Sequence, residues 1–184
     1  LSILSFKNIK FYGLLFLFIF NFILFADDLV GLISLLFVIS FTIVLSKTFP
    51  SVSNILLAGL AIRIFTLFLG TIFILPDSGK DAVYFETIGF QWSESGLLNV
   101  FTEHYPGANS IFISWIIAIL YSIFGRSLLM IQSLSLLFGI GSIFFGWMLA
   151  KKIWDNSKAN KVGWFLALFP SLVLYSVLTM REVY

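Results

Sequence analysis

The chain has 184 residues, of which 60% are hydrophobic and only 11% are charged, and its formal net charge is +2. A soluble domain carries roughly 25% charged residues, so this composition indicates an integral membrane protein. The small net charge gives no indication of nucleic-acid binding. The sequence contains no cysteine and a single histidine, which excludes disulfides, thiolate metal sites and a histidine-rich metal centre.

Apolar runs predict where the chain meets the bilayer, since a spanning helix needs roughly 17–25 apolar residues. The predicted spans are residues 11–26, 29–45, 55–75, 128–150 and 162–180, and a sixth, shorter run covers 110–124. Asp27 and Asp28 separate the first two runs into a hairpin, because adjacent carboxylates inside a bilayer are costly. The predicted fold class is therefore all-α, a polytopic transmembrane protein with about five spans.

Charge placement predicts the orientation, because lysine and arginine concentrate in cytoplasmic loops. With the N-terminus inside, Asp27 and Asp28 lie outside, Lys47 lies inside, and the polar segment 76–107 lies outside. If 110–124 crosses the membrane, the lysine-rich loop 151–161 lies outside and Glu182 inside. If 110–124 lies in the interface instead, that loop is inside and Glu182 faces the same side as residue 81.

The second arrangement is favoured because it separates the charges. Asp155 is then the only acid inside, and the other acids lie outside. The basic residues inside are Lys7, Lys10, Lys47, Lys151, Lys152, Lys158 and Lys161. Trp115 and Tyr121 suit an interfacial helix, since both residue types are enriched at the headgroup level. The sequence thus predicts one interfacial helix within a long outer loop.

A series of short motifs follows the hairpin in a recognisable order. They are Gly59 to Arg63, Pro76 to Asp81, Tyr84-Phe85, Tyr105-Pro106, Phe124-Gly125, Leu149 to Trp154, Ala167 to Ser171 and Arg181-Glu182. In this order they resemble the start of the GT-C membrane glycosyltransferases, most closely the protein O-mannosyltransferase and aminoarabinose-transferase branch. The resemblance covers residues 55–184. It divides the chain into a transmembrane hairpin, 1–50, and the N-terminal part of a GT-C-like module, 51–184, with its outer loop at 76–127.

The chain also departs from that family. Gly107 stands where a second proline is common, and Gln132 stands where the helix after Phe-Gly often has a basic residue. Tyr105 replaces a basic residue that contacts the lipid phosphate in some members. The chain opens on Leu1 and stops at Tyr184, so we expect it to be part of a longer protein.

The resemblance implies an enzyme of the cell membrane that moves a sugar from a polyprenyl-phosphate donor to an unknown acceptor at the outer face. The acceptor hydroxyl needs a general base, and the leaving phosphate needs positive charge or hydrogen-bond donors. Asp81 matches the family's first-loop aspartate and is the candidate base. Asp77 is the alternative, because the register within 77–81 stays open. Either carboxylate also fits an ordinary solvated loop residue.

Further candidates lie beyond residues 77–81. In the family a second acidic residue occupies the position that Glu182 matches, and Arg181 offers a charge-assisted contact to phosphate. Glu103, His104 and Tyr105 are candidate substrate-binding residues. No cofactor is indicated; a divalent metal ion stays open, although one histidine with one glutamate is a weak metal site.

The remaining signals are structural or concern other functions. Trp92 is the tryptophan considered for sugar stacking, and Glu86 is placed about 140° from Asp81 around a helix, so the two do not share a face. Arg63 is expected either to reach the nearer cytoplasmic end or to form an internal ion pair, and the resemblance gives it an orienting role. The alternative functions are a transporter or flippase for lipid-linked saccharides, which would bury more ionisable groups, and a non-catalytic membrane subunit.

Overall fold

The structure, a computed structural model, describes residues 28–76, 81–107 and 109–178, and within these ranges the chain forms helices and no strand. The helices are α1 (Leu29–Thr48), α2 (Ser53–Ile72), α3 (Asp81–Ser93), α4 (Leu97–Thr102), α5 (Phe112–Phe124), α6 (Leu128–Ile153), α7 (Asn156–Leu168) and α8 (Pro170–Tyr175). The predicted all-α class is confirmed. The predicted span 11–26, and with it most of the proposed hairpin, lies outside the described residues.

Three helices of the described part, α1, α2 and α6, are long and apolar enough to cross a membrane. They correspond to the predicted spans 29–45, 55–75 and 128–150. Helix α1 exposes Leu29, Ile33, Phe37 and Val44 along one side, at a spacing that places them on one helical face. A continuous apolar surface of this kind is disfavoured in water and suits contact with lipid tails.

Helices α1 and α6 run in the same direction and are linked at their N-termini. Asp28 caps α1 by accepting a hydrogen bond from the Gly31 N–H at 2.8 Å. The Ser127 hydroxyl donates to the other Asp28 carboxylate oxygen at 2.7 Å and caps α6 by accepting from the Met130 N–H at 3.0 Å. One otherwise unpaired N–H group at the start of each helix is therefore satisfied by a linked pair of side chains.

Helix α2 is antiparallel to α6. Gly59 of α2 faces Ile143 of α6, whereas Arg63, one turn further along α2, faces Gly139, which lies one turn earlier in α6. The start of α1, the start of α6 and the end of α2 therefore lie at one end of the bundle, called here the loop face. The opposite end is called the lysine face. Its basic residues are Lys47, Lys151, Lys152, Lys158 and Lys161.

The segment 73–127 leaves the bundle and rejoins it at the loop face. Helix α3 begins beside the end of α2, where Ala82 and Ile72 line one cavity, and α5 ends just before Ser127. Helix α5 has 13 residues and packs on α3, with the Ser114 hydroxyl donating to the Phe85 carbonyl at 2.9 Å. Gly89 permits this close approach, since a Cβ there would stand 2.6 Å from Ile117. All described acids except Asp155 thus belong to the loop-face half of the chain.

The predicted span 162–180 is not one continuous helix. Helix α7 ends at Leu168 and α8 begins at Pro170, because proline lacks an N–H and its ring clashes with the preceding helical turn. The segment formed by α7 and α8 starts at the lysine face and extends toward the loop face. There Val177 and Leu178 line the same cavity as Ile72.

The expectation that Arg63 extends toward the cytoplasmic end is also wrong. Its side chain is 1% exposed and lies inside the bundle, and no ion pair joins it to any described residue. Its hydrogen bonds to backbone carbonyls satisfy the guanidinium where it is, which removes the need to reach water.

Candidate functional site

A cavity of about 350 Å³ lies at the loop face. Its walls come from the end of α2, the start of α3, the start of α6 and the chain just after α8. The lining residues that carry polar side chains are Thr71, Glu86 and Gln132. One wall consists of Ile72, Phe73, Ile74 and Leu75, and Ile74 is 93% exposed. The cavity therefore combines an apolar, outward-facing side with a few hydrogen-bonding groups, a composition typical of ligand sites.

Glu86 is the buried carboxylate of this cavity, with only 7% of the residue exposed. Arg126 pairs with it through two bonds, Nε to Oε1 and Nη2 to Oε2, both at 2.9 Å. The Tyr121 hydroxyl donates to Oε1 at 3.0 Å. A buried carboxylate is tolerated when it is paired and its lone pairs are filled, and the forked Arg geometry meets both conditions.

The environment of this cluster raises the pKa of two of its members, Arg126 and Tyr121. Hydrogen bonding to Glu86 raises the pKa of Arg126. Burial, followed by the charge of Glu86, raises the pKa of the Tyr121 phenol, so Tyr121 remains a neutral donor. The Arg126 guanidinium also lies 4.2 Å from the centre of the Phe90 ring, an attractive cation–π contact. The cluster ties the start of α6 to α3.

Asp81 is the first residue of α3 and is exposed. A negative charge at this position is stabilised by the helix dipole. Ala82 and Val83, the next two residues, line the cavity, whereas Asp81 itself does not. Asp81 is exposed and Glu86 is buried, so the two carboxylates face different surroundings. Asp77, the alternative base, lies outside the described residues.

The described chain just before the second predicted acidic position lines the same cavity. Arg181 and Glu182 lie outside the described residues, but Val177 and Leu178, a few positions before them, line the cavity. The structure thus brings the segment that follows Asp81 and the segment that precedes Arg181 to one cavity, although nearly a hundred positions separate them in the sequence.

Glu103, His104 and Tyr105 form the connection between α4 and α5 and do not line this cavity. The His104 ring stacks on Trp92, with centroids 5.3 Å apart and an interplanar angle of 5°. One face of Trp92, the tryptophan considered for sugar stacking, is therefore covered by His104. Glu103 is exposed.

Tyr105 belongs to an aromatic cluster that fastens the same connection. Its ring packs edge-on against Trp115 at 5.1 Å, and Phe101 packs on Trp115 at 5.5 Å. The Trp115 indole N–H donates to the Val100 carbonyl at 2.9 Å. These contacts give Tyr105 a packing role. Separately, no group of three metal-ligating side chains occurs within the described ranges.

Comparison of the chain with models of known protein families, with curated proteins and with solved structures gives no match.

Sequence reasoning missed the pair formed by Glu86 and Arg126. The available signal was Arg126 itself, a basic residue among acids in the predicted outer loop. Basic residues concentrate in cytoplasmic loops, so the positive-inside rule does not account for Arg126 there. A basic residue in such a position suggests a specific partner. The choice among the acids of that loop depends on packing, which the sequence pattern does not give.

Proposed function

We propose that the protein is a GT-C-type membrane glycosyltransferase that moves a sugar from a polyprenyl phosphate to an acceptor at the outer face of the cell membrane. The observation that carries this proposal is the cavity at the loop face, where the chain after Asp81 meets the chain before Arg181 and Glu182. Two chain segments predicted to bear catalytic groups thus converge on a space bordered by exposed apolar residues. The sequence resemblance suggests the reaction class, and the cavity offers a place for the proposed reaction.

The cavity wall suits the sugar of such a donor. Thr71 and Gln132 offer neutral hydrogen-bonding groups, and the charge of Glu86 is balanced by Arg126. A polyprenyl chain lies within the bilayer, and the apolar edge at 72–75 gives it a lateral approach. No basic side chain among the described residues lines the cavity, so we assign contact with the phosphate to Arg181.

The proposed reaction is a single displacement. The Asp81 carboxylate accepts the proton of the acceptor hydroxyl as its oxygen forms a bond to the anomeric carbon of the sugar. The bond from that carbon to the phosphate oxygen breaks, and the polyprenyl phosphate leaves with the electron pair. Positive charge near the phosphate stabilises the leaving group, a role that Arg181 is proposed to fill.

The loop face is proposed as the outer face because the described charges separate across the bundle. Lysines gather at one end, and segment 73–127 leaves and rejoins the bundle at the other. This return supports the arrangement in which 110–124 does not cross. Helix α5, with 13 residues, is about 20 Å long, shorter than the ~30 Å hydrocarbon core.

A transporter of lipid-linked saccharides is the second candidate, and one observation favours it. Transporters often contain broken helices with polar groups near mid-membrane, and α7 and α8 form a broken helix beside buried Arg63. The transferase is preferred because Arg63 is occupied by backbone carbonyls and no acidic residue of the described part lies next to it.

Transfer should be detectable without a membrane barrier. We expect the purified full-length protein in detergent to move label from a radiolabelled polyprenyl-phosphate sugar to an acceptor extract, because transfer needs only donor, acceptor and catalyst. A flippase needs two compartments and leaves the donor intact in detergent. Unchanged donor in detergent, together with translocation in vesicles, would overturn the proposal.

The orientation has its own test, which uses the absence of cysteine. Ser95 and Ser157 are both exposed and lie in the loop-face segment and at the lysine face, respectively. In intact cells a membrane-impermeant maleimide should label Ser95→Cys, whereas Ser157→Cys should react only after permeabilisation. The reverse pattern, or labelling of both, would contradict an outward-facing site.

A further inference from the structure

Arg63 occupies the centre of the described bundle and donates four hydrogen bonds. Its Nη1 donates to the carbonyls of Gly59 at 3.1 Å and Ala167 at 3.0 Å, and its Nη2 donates to the carbonyl of Leu166 at 3.3 Å. Its Nε donates to the Ser176 hydroxyl at 2.8 Å. Only the Gly59 carbonyl belongs to α2, the helix of Arg63. The other three acceptors belong to α7 and to the residue that follows α8.

The two carbonyls from α7 need these donors because the helix stops. In a continuous helix, Leu166 would accept from the N–H of residue 170 and Ala167 from that of residue 171. Pro170 has no N–H, and the chain turns at Phe169. Both carbonyls would be left unpaired inside a membrane protein, where each costs several kcal/mol. Arg63 supplies both bonds, and its charge suits the negative end of the α7 dipole.

The same guanidinium also holds the far end of α8. Ser176 follows α8 directly, accepts from Arg63 and donates to the Val173 carbonyl at 2.9 Å. Gly139 of α6 leaves room for this contact, since a Cβ there would stand 2.5 Å from the Ser176 Cβ and 3.1 Å from the Arg63 Nε. One side chain therefore connects the end of α7, the end of α8 and the middle of α2.

We propose that Arg63 is a positioning residue that holds the break between α7 and α8 and thereby places Val177 and Leu178 in the wall of the loop-face cavity. We call this set of hydrogen bonds from Arg63 to Leu166, Ala167 and Ser176 the clamp. Its consequence for sugar transfer rests on the proposed function, but its effect on the geometry of α7 and α8 does not. Lysine cannot replace Arg63 here, because its point-like ammonium lacks the planar fork that reaches two carbonyls and a hydroxyl at once.

The clamp predicts a change of geometry that can be measured directly. In the cysteine-free chain, spin labels at Tyr84→Cys and Ser171→Cys report the distance between the start of α3 and α8; both positions are exposed and neither lines the cavity. We expect the distance distribution to be narrow in the parent protein and to broaden in both Arg63→Met and Arg63→Lys. Lys152→Met, an exposed basic residue of the lysine face, should leave it unchanged.

Replacing Pro170 distinguishes the effect of Arg63 on geometry from its effect on thermal stability. Pro170→Ala restores an N–H for Leu166, so in combination with Arg63→Met it should recover thermal stability while the spin-label distance stays altered. If Arg63→Met does not fold, Arg63→Lys and Ser176→Ala carry the test, because Ser176→Ala releases only the α8 end of the clamp. An unchanged distance distribution in these variants would overturn the clamp.

The effect on catalysis is tested in the same variants. A misplaced cavity wall should lower kcat by roughly a hundredfold, and Pro170→Ala should not restore it. Broadened distances with unchanged kcat would overturn the positioning role in transfer. If the parent protein shows no transfer at all, the proposed function fails, while the distance measurements still decide whether Arg63 holds the break.

Discussion

Replacing Asp81 with asparagine is expected to lower the rate of sugar transfer by roughly a hundredfold to ten-thousandfold, the range that a general base contributes. Asparagine keeps the size and hydrogen-bonding capacity of the side chain but cannot accept the acceptor's proton. Asp81 is exposed and begins α3, so losing its charge should cost at most about 1 kcal/mol of stability. Expression and thermal unfolding should therefore stay close to those of the parent protein.

The measurement is initial-rate transfer from a labelled polyprenyl-phosphate sugar, with unfolding followed in the same samples. Glu94→Gln is the matched control, since Glu94 is another exposed carboxylate of the loop-face segment, and it should retain full activity. Asp77→Asn resolves the open register: if it loses activity while Asp81→Asn does not, the base is Asp77. Full activity of both variants would contradict a catalytic carboxylate in this segment.

The second large effect concerns the ion pair between buried Glu86 and half-exposed Arg126. Arg126→Met should destabilise the protein by about 3 kcal/mol, the cost of leaving a buried charged group without its main partner, because Glu86 stays in the protein with Tyr121 as its remaining described partner. Glu86→Leu should cost only about 1 kcal/mol. The Arg126 side chain is 51% exposed and can turn to water, so its charge is not left buried.

Combining the two substitutions should recover most of the stability, because an apolar pair of similar volume replaces a buried ion pair at little cost. The check is equilibrium unfolding in detergent micelles, followed by tryptophan fluorescence, with all three variants arranged as a double-mutant cycle. Additive losses, or a larger loss in Glu86→Leu than in Arg126→Met, would show that the pair does not hold α3 to the start of α6.

The candidate site was only partly visible in the sequence. The motif around Asp81 lies at the end of the bundle that holds the cavity, and Gln132, which departs from the family pattern, lines that cavity. Glu103, His104 and Tyr105 were selected for their chemistry, yet the structure keeps them away from the cavity in stacking and packing contacts. Side-chain chemistry does not reveal which partners a loop folds against.

The sequence by itself determined that the chain contains helices long and apolar enough to cross a membrane, and that the lysines of the described residues gather at one end of them. In lipid, every backbone polar group must be satisfied within the segment, so an apolar run of sufficient length has to be helical. These outcomes depend only on local composition, which is why α1, α2 and α6 were predicted closely.

Only the tertiary structure decided how the polar groups inside the bundle are satisfied. The bonds from Arg63 to Ala167 and from Arg126 to Glu86 join residues 104 and 40 positions apart, and the cavity is lined by separate segments between Leu67 and Leu178. A buried guanidinium or carboxylate is stable only where packing brings its partner within hydrogen-bond distance. That distance is set by helices meeting in three dimensions, so no local pattern specifies it.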